Sequence, residues 1–113
     1  MYLNQLPSVI LNYIEASNTP DPASFVDCFA KDAIVLDEGK KYYGKQEIKD
    51  WSDQYHFGAN VTLEPREMNQ VNGEIIVTFK LDGTYDKTDL PNPLLLKYHF
   101  IIEEDRIKKL SIC

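Results

Sequence analysis

A chain of 113 residues, 43% hydrophobic and 27% charged, has the size of one domain and is too apolar for disorder. Its 18 acidic residues outnumber 12 basic ones, for a formal charge of −6, which argues against the clustered basic surface that phosphate-backbone binding needs. No apolar run approaches the roughly 20 residues of a membrane helix, and two cysteines are too few for a disulfide scaffold and lack metal-ligand spacing.

The opening MYLNQLPSVILNYIEAS carries no basic leader and no small-residue cleavage pattern, so no signal peptide is expected and a reduced, cytoplasmic setting is. Leu6, Ile10, Tyr13, Ile14 and Ser17 recur at helical steps and predict a first helix from about Leu6 to Ser17, with Pro7 at its first turn. Pro20 ends that segment, and Asp21-Pro22 restarts a helix near Pro22 to Phe29 that buries Phe25, Val26 and Phe29. Ala33 to Asp37 reads as a short apolar strand and Glu38 to Lys41 as a turn. Gly44 opens a third helix to about Tyr55, with Ile48, Trp51 and Tyr55 on one face.

Beyond Gly58 every segment reads as extended. Val61 to Val71 ends in Asn72-Gly73, a hairpin signal. Glu74 to Tyr85 follows, with Ile75, Val77, Phe79 and Leu81 on one side. A loop from Asp86 to Pro93 leads into LLLKYHFII, where Leu94, Leu96, Tyr98, Phe100 and Ile102 share a face opposite Leu95, Lys97, His99 and Ile101. Glu104-Asp105 is a turn, and Ile107 to Cys113 closes the chain as a strand. Helices first and antiparallel strands last predict one α+β domain over 1–113, a curved antiparallel sheet folded around helices. Strands apolar on both faces, at Ile75/Ile76, Leu94/Leu95 and Ile101/Ile102, predict a homodimer through the outer sheet face.

Three stretches carry a resemblance. They are Phe25-Val26-Asp27-Cys28-Phe29-Ala30-Lys31-Asp32-Ala33-Ile34-Val35, then Tyr43 to Trp51 behind Gly44, and Glu104-Asp105-Arg106-Ile107. In this order the chain resembles the nuclear transport factor 2-like superfamily, including its SnoaL-like polyketide cyclases and ketosteroid isomerases. The resemblance implies a cone, a cystatin-like α+β roll, with an apolar pocket open at one end. It implies that Tyr13, Trp51, Val77, Phe79, Leu81, Tyr98 and Phe100 point inward. Strand alternation independently groups Val77, Phe79 and Leu81, and Tyr98 with Phe100. Such a lining suits a compact hydrophobic molecule.

In ketosteroid isomerases a first-helix tyrosine donates to the substrate oxygen, a first-strand aspartate shuttles a proton, and a protonated late-strand aspartate donates a second hydrogen bond. This chain is similar at Tyr13 and Asp37, which lie 24 residues apart, and departs at the third position, where Tyr98-His99-Phe100 stands. A phenol is already protonated at neutral pH, so Tyr13 and Tyr98 suit a two-donor hole beside Asp37 as base. Plain structural roles compete with these: Tyr13 as core, Asp37 as a turn residue, Tyr98 as pocket wall.

His56 is read either as a residue of the cone's mouth, where some dehydratases of the superfamily use histidine, or as a surface helix-end cation. His99 belongs to the outer sheet face or a dimer partner. Neither Cys28 nor Cys113 has a base adjacent in sequence. With no phosphate loop, zinc spacing or serine elbow, neither metal nor cofactor is expected, and proton transfer of the isomerase or cyclase type competes with a non-catalytic binding or dimerisation module of the same fold.

Overall fold

Residues 6–113 are described by a computed structural model. Helix α1 (Ser8–Asn18) buries Val9, Ile10, Tyr13, Ala16 and Ser17, and its end is closed by Thr19, whose N–H and hydroxyl both donate to the Glu15 carbonyl. Asp21 then caps α2 (Pro22–Asp27) by accepting from the Ser24 N–H at 3.2 Å. The second helix stops two residues short of Phe29, because the Cys28 carbonyl accepts from the Ile107 N–H and commits the chain to the sheet. Strand β1 therefore runs Phe29–Asp37, starting ahead of the expected Ala33. Lys40–Tyr43, half of it expected as turn, is a short strand β2 paired antiparallel with β1.

Gly44, at φ +78°, turns the chain into α3 (Gly44–Trp51). The helix does not continue to Tyr55 in α form. A π-helical turn, Ser52–His56, finishes it, and the wider turn moves the inward position on by one residue. Ile48 and Trp51 are buried as expected, but Tyr55 is 45% exposed and His56 takes its place inside at 2%.

Strands β3 (Thr62–Val71), β4 (Glu74–Asp82), β5 (Leu94–Glu103) and β6 (Arg106–Ile112) complete a six-stranded sheet of order β2-β1-β6-β5-β4-β3. Four neighbouring pairs are antiparallel, whereas β1 and β6 run parallel, an exception to the all-antiparallel expectation. Three two-residue loops, Glu38-Gly39, Asn72-Gly73 and Glu104-Asp105, have positive φ at both residues, the type I′ geometry whose twist matches the strands.

The inner sheet face and the helices enclose a core in which Tyr13, Phe25, Phe29, Phe79 and Phe100 are fully buried. Each side chain of this size contributes about 1.5–3 kcal/mol relative to exposure. Asn18, at the end of α1, ties the helix layer to the sheet through both bonds of its amide to Leu63, at 2.9 and 2.8 Å. Among the described residues no helix is long and apolar enough to cross a membrane.

Candidate functional site

Alternation decides which face a strand residue takes, and Ala33, Val35 and Asp37 share the inward face of β1. Asp37 is the last of them, placed where the sheet passes from core to opening, immediately before the Glu38-Gly39 turn. On β4 and β5 the same progression runs outward through the paired rows Val77 with Tyr98, Phe79 with Leu96, and Leu81 with Leu94. A cavity of about 630 Å³ occupies this open end, a volume suited to a compact organic ligand.

Asp37, Trp51, His56, Leu81 and Tyr98 line that cavity. Val77, Phe79 and Phe100, expected in the lining, are fully buried in the core beneath it and do not form its wall. Tyr13 is also fully enclosed behind the wall, its ring 6.4 Å from that of His56 and 5.5 Å from that of Phe100. Its hydroxyl and the His56 Nε2 are buried without a hydrogen-bond partner among the described residues. Leu94 and Leu96 join the wall from the same β5 face as Tyr98, and Tyr85 and Leu90 close it from the loop before β5. The two leucines were legible in the alternation, whereas the loop residues carry no periodic signal.

The Asp37 carboxylate accepts a hydrogen bond from Trp51 Nε1 at 3.0 Å. Burial pushes its carboxyl above the usual carboxylate range, the Trp51 bond opposes that shift, and the neighbouring Glu38 charge adds to it. The outcome is a base stronger than a free aspartate, held in orientation by an indole. Burial pushes the Tyr98 phenol up as well, with the Asp37 charge reinforcing it, so Tyr98 is a proton donor at every working pH. Burial pushes the Tyr13 phenol well above its ordinary range.

His56 is not a surface helix-end cation. It stacks on Phe25 with ring centroids 4.9 Å apart and meets Phe57 edge-on at 5.0 Å. Burial pushes the imidazole down to about 4, so it is neutral at pH 7. A mostly apolar wall thus holds the Asp37 carboxyl, the Tyr98 phenol and the neutral His56 imidazole, with Glu38, Gln54 and Asp86 also in its lining. Among the described residues no cluster of His, Cys, Asp and Glu is arranged to hold a metal ion.

No family model and no curated protein matches the sequence. Solved structures do. A candidate polyketide cyclase from Sinorhizobium meliloti is similar at 29% identity over 97% of both chains, with a TM-score of 0.86. A candidate ketosteroid isomerase from Kribbella flavida is similar in fold, with 12% identity over 98% of this chain and 78% of the other and a TM-score of 0.75. A Mycobacterium tuberculosis protein in complex with estradiol-17β-hemisuccinate is likewise similar in fold, at 12% identity over 93% and 89% with a TM-score of 0.73. With its helices packed into a curved six-stranded sheet and these likenesses along nearly its whole length, the chain has the nuclear transport factor 2-like fold that the similar polyketide cyclase and ketosteroid isomerase-like structures share.

Proposed function

We propose that the cavity binds a compact, largely apolar small molecule and that Asp37 moves a proton on it without a cofactor, as an isomerase or cyclase does. The observation that carries this reading is the half-buried Asp37 carboxyl on the cavity wall, made more basic by burial and oriented by Trp51. Asp37 takes a proton from a carbon next to a carbonyl, while Tyr98 donates to the carbonyl oxygen as it gains charge. Where a β,γ double bond makes the product a dienolate, the Asp37 carboxylic acid returns its proton to the γ-carbon; otherwise the enolate attacks a second carbonyl, closes a ring, and the resulting alkoxide takes the proton back from Asp37. His56 is a neutral polar group on the same wall, and Tyr13 packs behind it as support. The steroid hemisuccinate in the similar Mycobacterium tuberculosis protein supports a ligand with a rigid, largely apolar body for a cavity of this fold.

Trp51 is the sole tryptophan of the chain, so its fluorescence reports on the cavity. Titration with estradiol is expected to quench it, and Asp37→Asn is expected to leave that binding within a few-fold. Turnover of a β,γ-unsaturated ketone, followed by the absorbance of the conjugated product, is expected to fall about 10²–10⁴-fold in Asp37→Asn. Equal turnover by both proteins refutes the catalytic part. What then stands is the second reading, a binding module without chemistry, which Tyr98-His99-Phe100 in place of the isomerase aspartate favours.

A further inference from the structure

Cys113 follows β6 at the rim of the cavity, but its side chain turns to the outer sheet face, where its Sγ lies 3.3 Å from His99 Nε2, and His99 Nδ1 lies 3.8 Å from Glu74 Oε1. We propose that Cys113 is a modification site for soft carbon electrophiles such as α,β-unsaturated carbonyl compounds, with His99 as its base and Glu74 orienting the imidazole.

The order of groups fixes the proton's route. A carboxylate 3.8 Å from Nδ1 favours the tautomer with the ring proton on that nitrogen, which leaves the Nε2 lone pair to face the thiol. Cys113 is held in place by both backbone hydrogen bonds to Lys97, at 2.9 and 3.0 Å, and is exposed to solvent. In the reaction the sulfur electron pair forms an S–C bond at the β-carbon as the thiol proton passes to Nε2. The π pair of the carbon–carbon double bond moves onto the α-carbon and carbonyl oxygen as an enolate. The imidazolium then returns its proton to the α-carbon, and the addition balances without oxidant or reductant.

A β-bulge makes this arrangement. Ile102 pairs with Ile107, but Ile101 pairs with Lys109, so Lys108 is extra and the register beyond it shifts by one residue. Without the bulge Cys113 would face Leu96 and share its inward side; with it, Cys113 stands opposite Lys97, on the side of His99. Cys28 is the internal control. It is buried, its thiol donates to the Ser24 carbonyl at 3.4 Å, and burial pushes it up to about 11, which leaves it inert.

The test is timed labelling of the folded protein with N-ethylmaleimide at pH 7, read by intact mass and peptide mapping. One adduct is expected, on Cys113, with Cys28 unmodified. His99→Gln is expected to slow the reaction about tenfold, at the modest end of general-base assistance. Free imidazole is expected to restore part of that rate, a rescue that a merely structural role of His99 would not give. Glu74→Gln is expected to slow the reaction by a smaller factor. An unreacted Cys113 in the native protein, or equal rates in wild type and His99→Gln, overturns the proposal.

Discussion

An imidazole that loses its affinity for protons on burial makes a protein sensitive to acid, and His56 is such a group. Its pKa falls from 6.5 to about 4, so the unfolded chain binds the extra proton first as pH drops. The cost is absent above about pH 7, grows as pH falls through the unfolded value, and is complete near the folded one. It reaches about 3 kcal/mol there. His56→Phe keeps an aromatic ring against Phe25 and removes the titration. The difference between urea midpoints at pH 7 and pH 4.5 is expected to shrink in this variant by the equivalent of about 2–3 kcal/mol. An unchanged difference means that His56 is solvated or partnered. Asp37, whose pKa is raised, has the opposite sign: its ionised form costs stability at neutral pH, and acid relieves that cost. Of the residues on the cavity wall, Asp37 and Tyr98 came from the resemblance to ketosteroid isomerases, and the inward face of Trp51 was legible from helical spacing. The inward position of His56 depends on a π-helical turn that no local periodicity announces.

At the scale of elements, the three I′ hairpins differ in how well their residues suit the turn. Asn72-Gly73 and Glu38-Gly39 contain the glycine that a positive φ favours, but Glu104 and Asp105 adopt φ of +50° and +63° without it. Replacing them with Asn-Gly is expected to stabilise the protein by about 1 kcal/mol, seen as a higher urea midpoint at unchanged slope. A lower midpoint would mean that the side chains of that turn contribute more than its backbone strain costs. All three turns were readable from the sequence because turn chemistry is local. The parallel contact of β1 with β6 and the bulge at Lys108 were not, because both arise from pairings between distant or closing strands. Cys113 and His99 looked unrelated for that reason: only the register brings them together.

For the whole molecule, the sequence order of helices and strands was enough for an α+β sheet folded around helices, and alternation was enough to say which face the residues of β4 and β5 take. Alternation carries no information on depth along a strand, which is why Val77 and Phe79 are core while Leu81, on the same face, borders the cavity. The radius of gyration, 13.1 Å, matches the about 13 Å of a compact fold of this length. Within that fold the cavity wall is assembled from the end of β1, the π-helical turn, β4, β5 and the loop at 83–93, segments far apart in the chain. A ligand seated there contacts them together only in the folded state, so binding and folding are linked. Stability should then rise by about 2.7 kcal/mol at a ligand concentration one hundred times its Kd, and by about 1.4 kcal/mol for each further decade. With estradiol as the probe, Tm is expected to climb in step with the logarithm of concentration, in wild type and Asp37→Asn alike. The neutral ligand makes no demand on the charge of residue 37. Introducing a charge into the apolar wall, as in Leu96→Asp, is expected to abolish the climb while the unliganded protein still unfolds cooperatively. A Tm that stays flat with estradiol over several decades, or one that climbs as steeply in Leu96→Asp, places the binding site elsewhere on the molecule.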